Sequence, residues 1–130
     1  MRLLIVDDEP GVQKSIQIIA GTLGWEALAC DQFGDVVRLV REHGIDVLVC
    51  DYRMPPITGL HIVRQLREAD LQLPVVMITA NPQSVDRSEV RELGIGKLLG
   101  KPANVWDVRQ VLMEAAREAE RAGEPSTESH

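Results

Sequence analysis

Four short apolar runs along this chain each stop abruptly on a polar residue. Leu3-Leu4-Ile5-Val6 ends on Asp7-Asp8, and Val47-Leu48-Val49-Cys50 ends on Asp51. Val75-Val76-Met77-Ile78 ends on Thr79, and Leu98-Leu99-Gly100 ends on Lys101-Pro102. Runs of this length bounded by polar or turn residues predict buried strands, and unbroken apolar strands belong in a parallel sheet covered on both faces. Glu26 to Cys30 reads as a further, weakly alternating strand, and Ile45 to Cys50 as the full extent of the third. Between the strands the apolar period becomes helical. Val12, Ile16, Ile19 and Leu23 follow Pro10, which suits a first helical turn, and Gly24 stops the run. Val36, Val37 and Val40 mark a second helix ending near His43-Gly44. Leu60, Val63 and Leu66 mark a third that Thr58 can cap, and Pro82 to Leu93 should hold a short polar fourth. Asn104, with Asp107 three residues on, resembles a cap for a fifth helix carrying Val108, Val111, Leu112, Ala115 and Ala119.

Strict strand–helix alternation of this kind predicts an α/β fold, a parallel sheet with helices on both faces. Residues 1–121 form one domain. Beyond Ala122 no apolar residue remains, so 122–130 are expected to be a disordered tail or the start of a linker. In open parallel sheets ligands bind beyond the carboxyl ends of the strands. The runs therefore place Asp7, Asp8, Asp51, Thr79 and Lys101 along one edge.

Each of these residues has an ordinary explanation when taken singly: a turn, a cap, a β-former, a solvated loop lysine. Their shared position at strand ends is what points to chemistry. Three carboxylates in one pocket repel one another unless a cation intervenes, and a hard divalent ion with oxygen ligands, Mg2+ above all, would serve. With the metal and Lys101 the pocket approaches neutrality and can accept a phosphoryl group. An Asp carboxylate is a competent phosphoryl nucleophile, a metal and a lysine stabilise such a transfer, and Thr79 offers a hydroxyl donor.

Composition narrows the rest. The chain has 130 residues, 45% of them hydrophobic but only 3% aromatic, so its core is aliphatic. A net charge of −6 argues against direct nucleic-acid binding. No apolar stretch reaches the ~20 residues of a membrane span, and no signal-peptide pattern opens the chain, so a cytoplasmic protein without membrane contact is expected. Cys30 and Cys50 read as small core hydrophobes. A disulfide between them would be out of reach if another strand separates theirs.

The stretches Leu3-Leu4-Ile5-Val6-Asp7-Asp8-Glu9-Pro10, Asp51-Tyr52-Arg53-Met54-Pro55 with Gly59, Thr79-Ala80 and Lys101-Pro102 together resemble the receiver domain of bacterial two-component response regulators. The resemblance covers residues 1–121. It implies a flavodoxin-like (βα)5 three-layer sandwich with strand order 2-1-3-4-5. It implies that Asp51 accepts a phosphoryl group from a phosphohistidine on a sensor histidine kinase or histidine phosphotransfer protein. By the same resemblance Asp8 would ligate Mg2+ directly and Asp7 through water. The backbone carbonyl of Arg53 would complete the protein ligands, and Lys101 and Thr79 would bind phosphoryl oxygens. Arg53 and Asn81 occupy positions that tune phosphoryl lifetime, and a long-lived phosphoryl state is expected. The kinase would dock near Gly11, Lys14, Ser15 and Ile18 and the loop Pro102-Ala103-Asn104. The switch would shift the face of the fourth helix, fifth strand and fifth helix, where partners or a second copy bind. Such a domain assists its own phosphorylation but is not a turnover enzyme.

Two positions depart from the family's pattern. Leu98 stands at the switch position where an aromatic is usual, and Thr58 stands where an acid is common; a core leucine and a helix cap are expected there. The main alternative is a receiver-like interaction module that signals without phosphorylation. A haloacid-dehalogenase-like phosphatase needs a second Asp two residues after its nucleophile, whereas Glu9 follows Asp7 at that spacing and Arg53 follows Asp51. A DNA-binding regulator would need an element beyond His130.

Overall fold

A computed structural model describes residues 1–31 and 33–123. Five parallel strands make the main sheet: β1 (Arg2–Val6), β2 (Glu26–Cys30), β3 (Val47–Asp51), β4 (Val75–Thr79) and β5 (Lys97–Gly100). Their spatial order is 2-1-3-4-5, as the sequence resemblance implied. The helices are α1 (Pro10–Thr22), α2 (Val36–His43), α3 (Gly59–Glu68), α4 (Arg87–Glu92) and α5 (Val105–Gly123). A short antiparallel ladder pairs Arg53–Met54 with Ile57–Thr58. No helix among the described residues is long and apolar enough to cross a membrane.

The apolar runs are unbroken because the central strands are covered on both faces. Successive side chains alternate across a strand. Leu4, Val6, Leu48, Cys50, Val75 and Met77 join the core under α2, α3 and α4. Leu3, Ile5, Val47, Val49, Val76 and Ile78 join the core under α1 and α5. The allocation of helices follows from topology. The chain steps from β1 to β2 in one direction and then reverses, and crossovers of one hand then put α1 on the face opposite α2, α3 and α4. The reversal leaves a crevice between β1 and β3 at their carboxyl ends, where a ligand site is expected.

Several sequence expectations need correction. The third strand begins at Val47, two residues later than read, and includes Asp51. The short polar fourth helix does lie within Pro82 to Leu93, as α4, and a separate 3-10 turn at Pro82–Ser84 precedes it. Val85 is extended and buried between them. The Asp86 side chain then accepts from Glu89 N–H and starts a new helix. Thr58 does stand at the cap position of α3, but its hydroxyl makes no cap hydrogen bond. Helix α5 runs on through Ala122 and Gly123; the expectation for residues 124–130 lies outside the described residues.

Other local signals hold. Pro10 opens α1, Gly44 ends α2 in the left-handed conformation, and Asn104 Oδ1 accepts from Asp107 N–H at 2.8 Å. Val6 pairs with Cys30 on one side and Cys50 on the other, so the two sulfurs lie two strands apart, beyond disulfide reach.

Candidate functional site

The crevice gathers every strand-end residue singled out by sequence. Asp7 and Asp8 follow β1, Asp51 ends β3, Thr79 ends β4 and Lys101 follows β5. Hydrogen bonding across the sheet sets their register. Asp7 N–H donates to Cys30 O, Tyr52 N–H to Ile78 O and Lys101 N–H to Thr79 O. Asp7, Asp51 and Thr79 are the buried polar residues of the described chain, at 1%, 4% and 3% exposure. Asp8 and Arg53 are exposed. A cleft of ≈ 200 Å³ opens over Asp51 and is lined also by Arg53, Thr79, Asn81, Ser84 and Lys101.

The Lys101 ammonium ties the site together. Its Nζ donates to Asp51 Oδ2 at 2.9 Å and to Glu9 Oε1 at 3.0 Å, and lies 3.4 Å from Asp7 Oδ2. Burial opposes the Lys101 charge, but the bonds to Asp51 and Glu9 and the charges of Asp51 and Asp7 outweigh it, so its pKa is raised. Asp51 Oδ1 accepts from Arg53 N–H at 3.1 Å. Thr79 Oγ1 accepts from Asn81 N–H at 3.1 Å, which leaves its hydroxyl proton available to a ligand.

Asp7 is the strained member. Burial raises its pKa and the Asp51 charge adds to this, against the Glu9 N–H and Lys101, which lower it. Its Oδ1 accepts from Glu9 N–H at 2.8 Å. Its Oδ2 is buried with no well-formed hydrogen bond, and the Lys101 ammonium 3.4 Å away serves it mainly by charge. A buried carboxylate oxygen without a donor calls for a cation. Oxygens of Asp7, Asp8, Glu9 and Asp51 lie within 4.8 Å of one another, so the residues present fit a hard divalent ion.

Glu9 is the residue that sequence reasoning missed. The sequence places Glu9 in the stretch that carries the resemblance but gives it no role in the pocket, although a third successive acid after an apolar run is itself a signal. Its presence makes the pocket one charge more negative than three carboxylates would.

A tight fit holds the phosphoacceptor candidate in place. Gly59 opens α3 against the end of β3, and a Cβ there would meet the Asp51 carbonyl oxygen at 2.4 Å and Met77 Sδ at 2.9 Å. Leu98 pairs with Met77 and is half-buried against the core under α2, α3 and α4, as a core leucine should be. Beside the cleft, Gly11, Val12, Ser15, Pro102, Ala103 and Val105 line an apolar groove of ≈ 650 Å³ between α1 and the start of α5. Lys14 and Ile18 are exposed on α1 nearby.

Comparison with known proteins agrees with this geometry. The family model described as response regulator receiver domain matches residues 3–113. The sensor histidine kinase RcsC of Salmonella typhi is 29% identical over 86% of this chain and 12% of its own length. The transcriptional regulatory protein TrcR of Mycobacterium tuberculosis is 27% identical over 99% of this chain and 50% of its own. The chain thus spans half or less of these relatives. Among solved structures, a CheY-like receiver domain protein from Methanospirillum hungatei has a TM-score of 0.84 at 20% identity, covering 94% of this chain and 98% of that one. Chemotaxis response regulator CheY4 of Vibrio cholerae has a TM-score of 0.79 at 22% identity, covering 88% and 97%. These two show a common fold.

Proposed function

The chain belongs to the response regulator receiver domain family, and on that premise we propose that it is a phosphorylation switch in which Asp51 accepts a phosphoryl group from a phosphohistidine. The donor is a sensor histidine kinase or a histidine phosphotransfer protein. One observation carries the reading: a nearly buried Asp51 at a strand end, bonded to the Lys101 ammonium inside a ring of carboxylates that fits a divalent cation.

In the transfer an Asp51 carboxylate oxygen attacks phosphorus opposite the histidine nitrogen. The P–O bond forms, the P–N bond breaks, and the imidazole keeps the electron pair. Lys101 turns its ammonium toward the phosphoryl oxygens, and the Thr79 hydroxyl donates to one of them. Asp7, Asp8 and Asp51, with the Arg53 carbonyl, would hold Mg2+, which when bound neutralises charge on the transferring oxygens. Arg53 and Asn81 at the cleft mouth govern the approach of water, and a long-lived phosphoryl state follows from Arg53 obstructing it. With Leu98 in place of an aromatic, movement of Thr79 passes through the backbone, since Lys101 N–H is bonded to Thr79 O at 2.7 Å. The change is read on the face of α4, β5 and α5 by a partner or a second copy. The domain assists its own phosphorylation and turns over no external substrate.

The test is intact mass after incubation with Mg2+ and a small phosphodonor, wild type against Asp51→Asn. Gain of one phosphoryl mass in wild type alone, abolished by EDTA, is expected. A folded, Mg2+-loaded wild type that takes no label overturns the reading in favour of an interaction module that signals without phosphorylation. Loss of label within seconds would refute the long lifetime alone.

A further inference from the structure

The Lys101 ammonium carries more partners than the transfer requires, and one of them differs in kind. The Asp51 and Asp7 side chains are buried, but the Glu9 side chain is 59% exposed. Glu9 also stands at a boundary. It lines both the cleft over Asp51 and the apolar groove between α1 and α5, and its bond to Lys101 bridges the β1–α1 and β5–α5 loops. When the Lys101 ammonium turns toward the oxygens of a phosphoryl group on Asp51 it moves away from part of its present ring of carboxylates, and the partner given up is the one that costs least to release. Releasing a buried carboxylate leaves it unpaired, which is costly. An exposed carboxylate returns to water at little cost.

We propose that Glu9 is a positioning residue, a displaceable counter-ion that holds the Lys101 ammonium at the cleft mouth until a phosphoryl group replaces it, and whose charge disfavours strongly anionic small phosphodonors. This rests on the phosphoacceptor reading of Asp51. Because Glu9 lines the cleft, every donor that reaches Asp51 meets its charge before it has displaced Glu9 from Lys101. Acetyl phosphate is a dianion at neutral pH. In its reaction an Asp51 oxygen bonds to phosphorus, the bond from phosphorus to the acetyl oxygen breaks, and acetate leaves with the electron pair. Phosphoramidate carries one net negative charge and an already protonated nitrogen, so its P–N bond breaks and ammonia leaves. The Glu9 charge should penalise the first donor more than the second.

The experiment measures second-order rate constants of phosphorylation by intact mass with Mg2+ for wild type, Glu9→Gln and Glu9→Asp. Both donors are used, at low and high ionic strength. The Glu9 side chain makes no cap bond to α1, so neither substitution removes a helix cap, and thermal melts check folding. Glu9→Gln is expected to raise the acetyl phosphate rate relative to phosphoramidate by on the order of threefold at low salt. That excess should shrink as salt screens the charge. Glu9→Asp should keep the wild-type ratio, because it keeps the charge. Equal changes with both donors at every salt concentration overturn the inference, as does slowing of both. A tenfold loss of Mg2+ affinity in Glu9→Gln, read by thermal shift, also overturns it, since Glu9 would then be a metal ligand. An unlabelled wild type defeats the phosphoacceptor reading itself, whereas a labelled wild type with an indifferent Glu9→Gln defeats this inference alone.

Discussion

A buried carboxylate beside another carboxylate is a stability problem that a receiver domain keeps for its function. Asp7 binds its proton more tightly folded than unfolded, because its pKa is raised above the ordinary 3.8. The sign follows: folding takes up a proton, so stability present below the ordinary carboxyl range is lost as pH rises through the raised value. Without metal the penalty grows as pH rises above the ordinary carboxyl range. Asp7→Asn should therefore raise the Tm of the metal-free protein at pH 7 by a few degrees and remove most of the stabilisation that Mg2+ confers on wild type. Calorimetry with and without EDTA checks both, and a lower Tm in metal-free Asp7→Asn would count against the account. Gly59 makes the complementary point. Gly59→Ala forces a Cβ against the Asp51 carbonyl, where backbone cannot yield cheaply. A loss of about 2 kcal/mol in denaturant unfolding is expected, together with slower labelling of Asp51.

Among the elements, two arginines of α3 reach across to α4 and its end. Arg67 on α3 donates from Nε to Leu93 O just past α4, and from Nη1 to Leu71 O and Leu73 O in the loop before β4. Its half-buried guanidinium, with a pKa lowered by burial, thus satisfies three carbonyls from two segments. Arg67→Met keeps much of the apolar stem but none of the donors, and should cost about 2 kcal/mol in urea unfolding. A change within experimental error would show that water replaces the guanidinium fully. Arg64 pairs with Glu89 across the same two helices. This tethering is illegible in the sequence, where no local pattern marks Arg64 or Arg67. The same region explains why the fourth helix carries so weak an apolar pattern. Its apolar positions are few because Val85 and Val90 meet the core from two separate pieces, and no single helical stripe connects them.

Over the whole molecule, burial falls from the centre of the sheet to its edge. Strands β3 and β4 are buried at every position, while β2 at one edge has no residue in the buried class. Amide hydrogen exchange should accordingly be slowest in β1, β3 and β4 and fastest in β2, because local opening is cheapest where few apolar contacts are broken. Uniform protection across the sheet would contradict this. The gradient also suits the site, since Asp7, Asp51 and Thr79 stand at the ends of the three most buried strands, and only Lys101 follows the partly exposed β5.

The sequence by itself determined the element order, the sheet and the roster of strand-end residues. It could do so because apolar runs that stop on polar groups record where strands leave the core. Its local signals held at Pro10, Gly44 and the Asn104–Asp107 pair, though not at Thr58, whose hydroxyl makes no cap bond. Tertiary structure alone decided which groups share a charge. Glu9 reaches Lys101 across 92 positions of chain, Asp7 Oδ2 is left without a donor, and Arg67 serves carbonyls rather than solvent. These depend on distances between segments that no local pattern encodes, and Coulomb and hydrogen-bond energies respond to those distances and to burial.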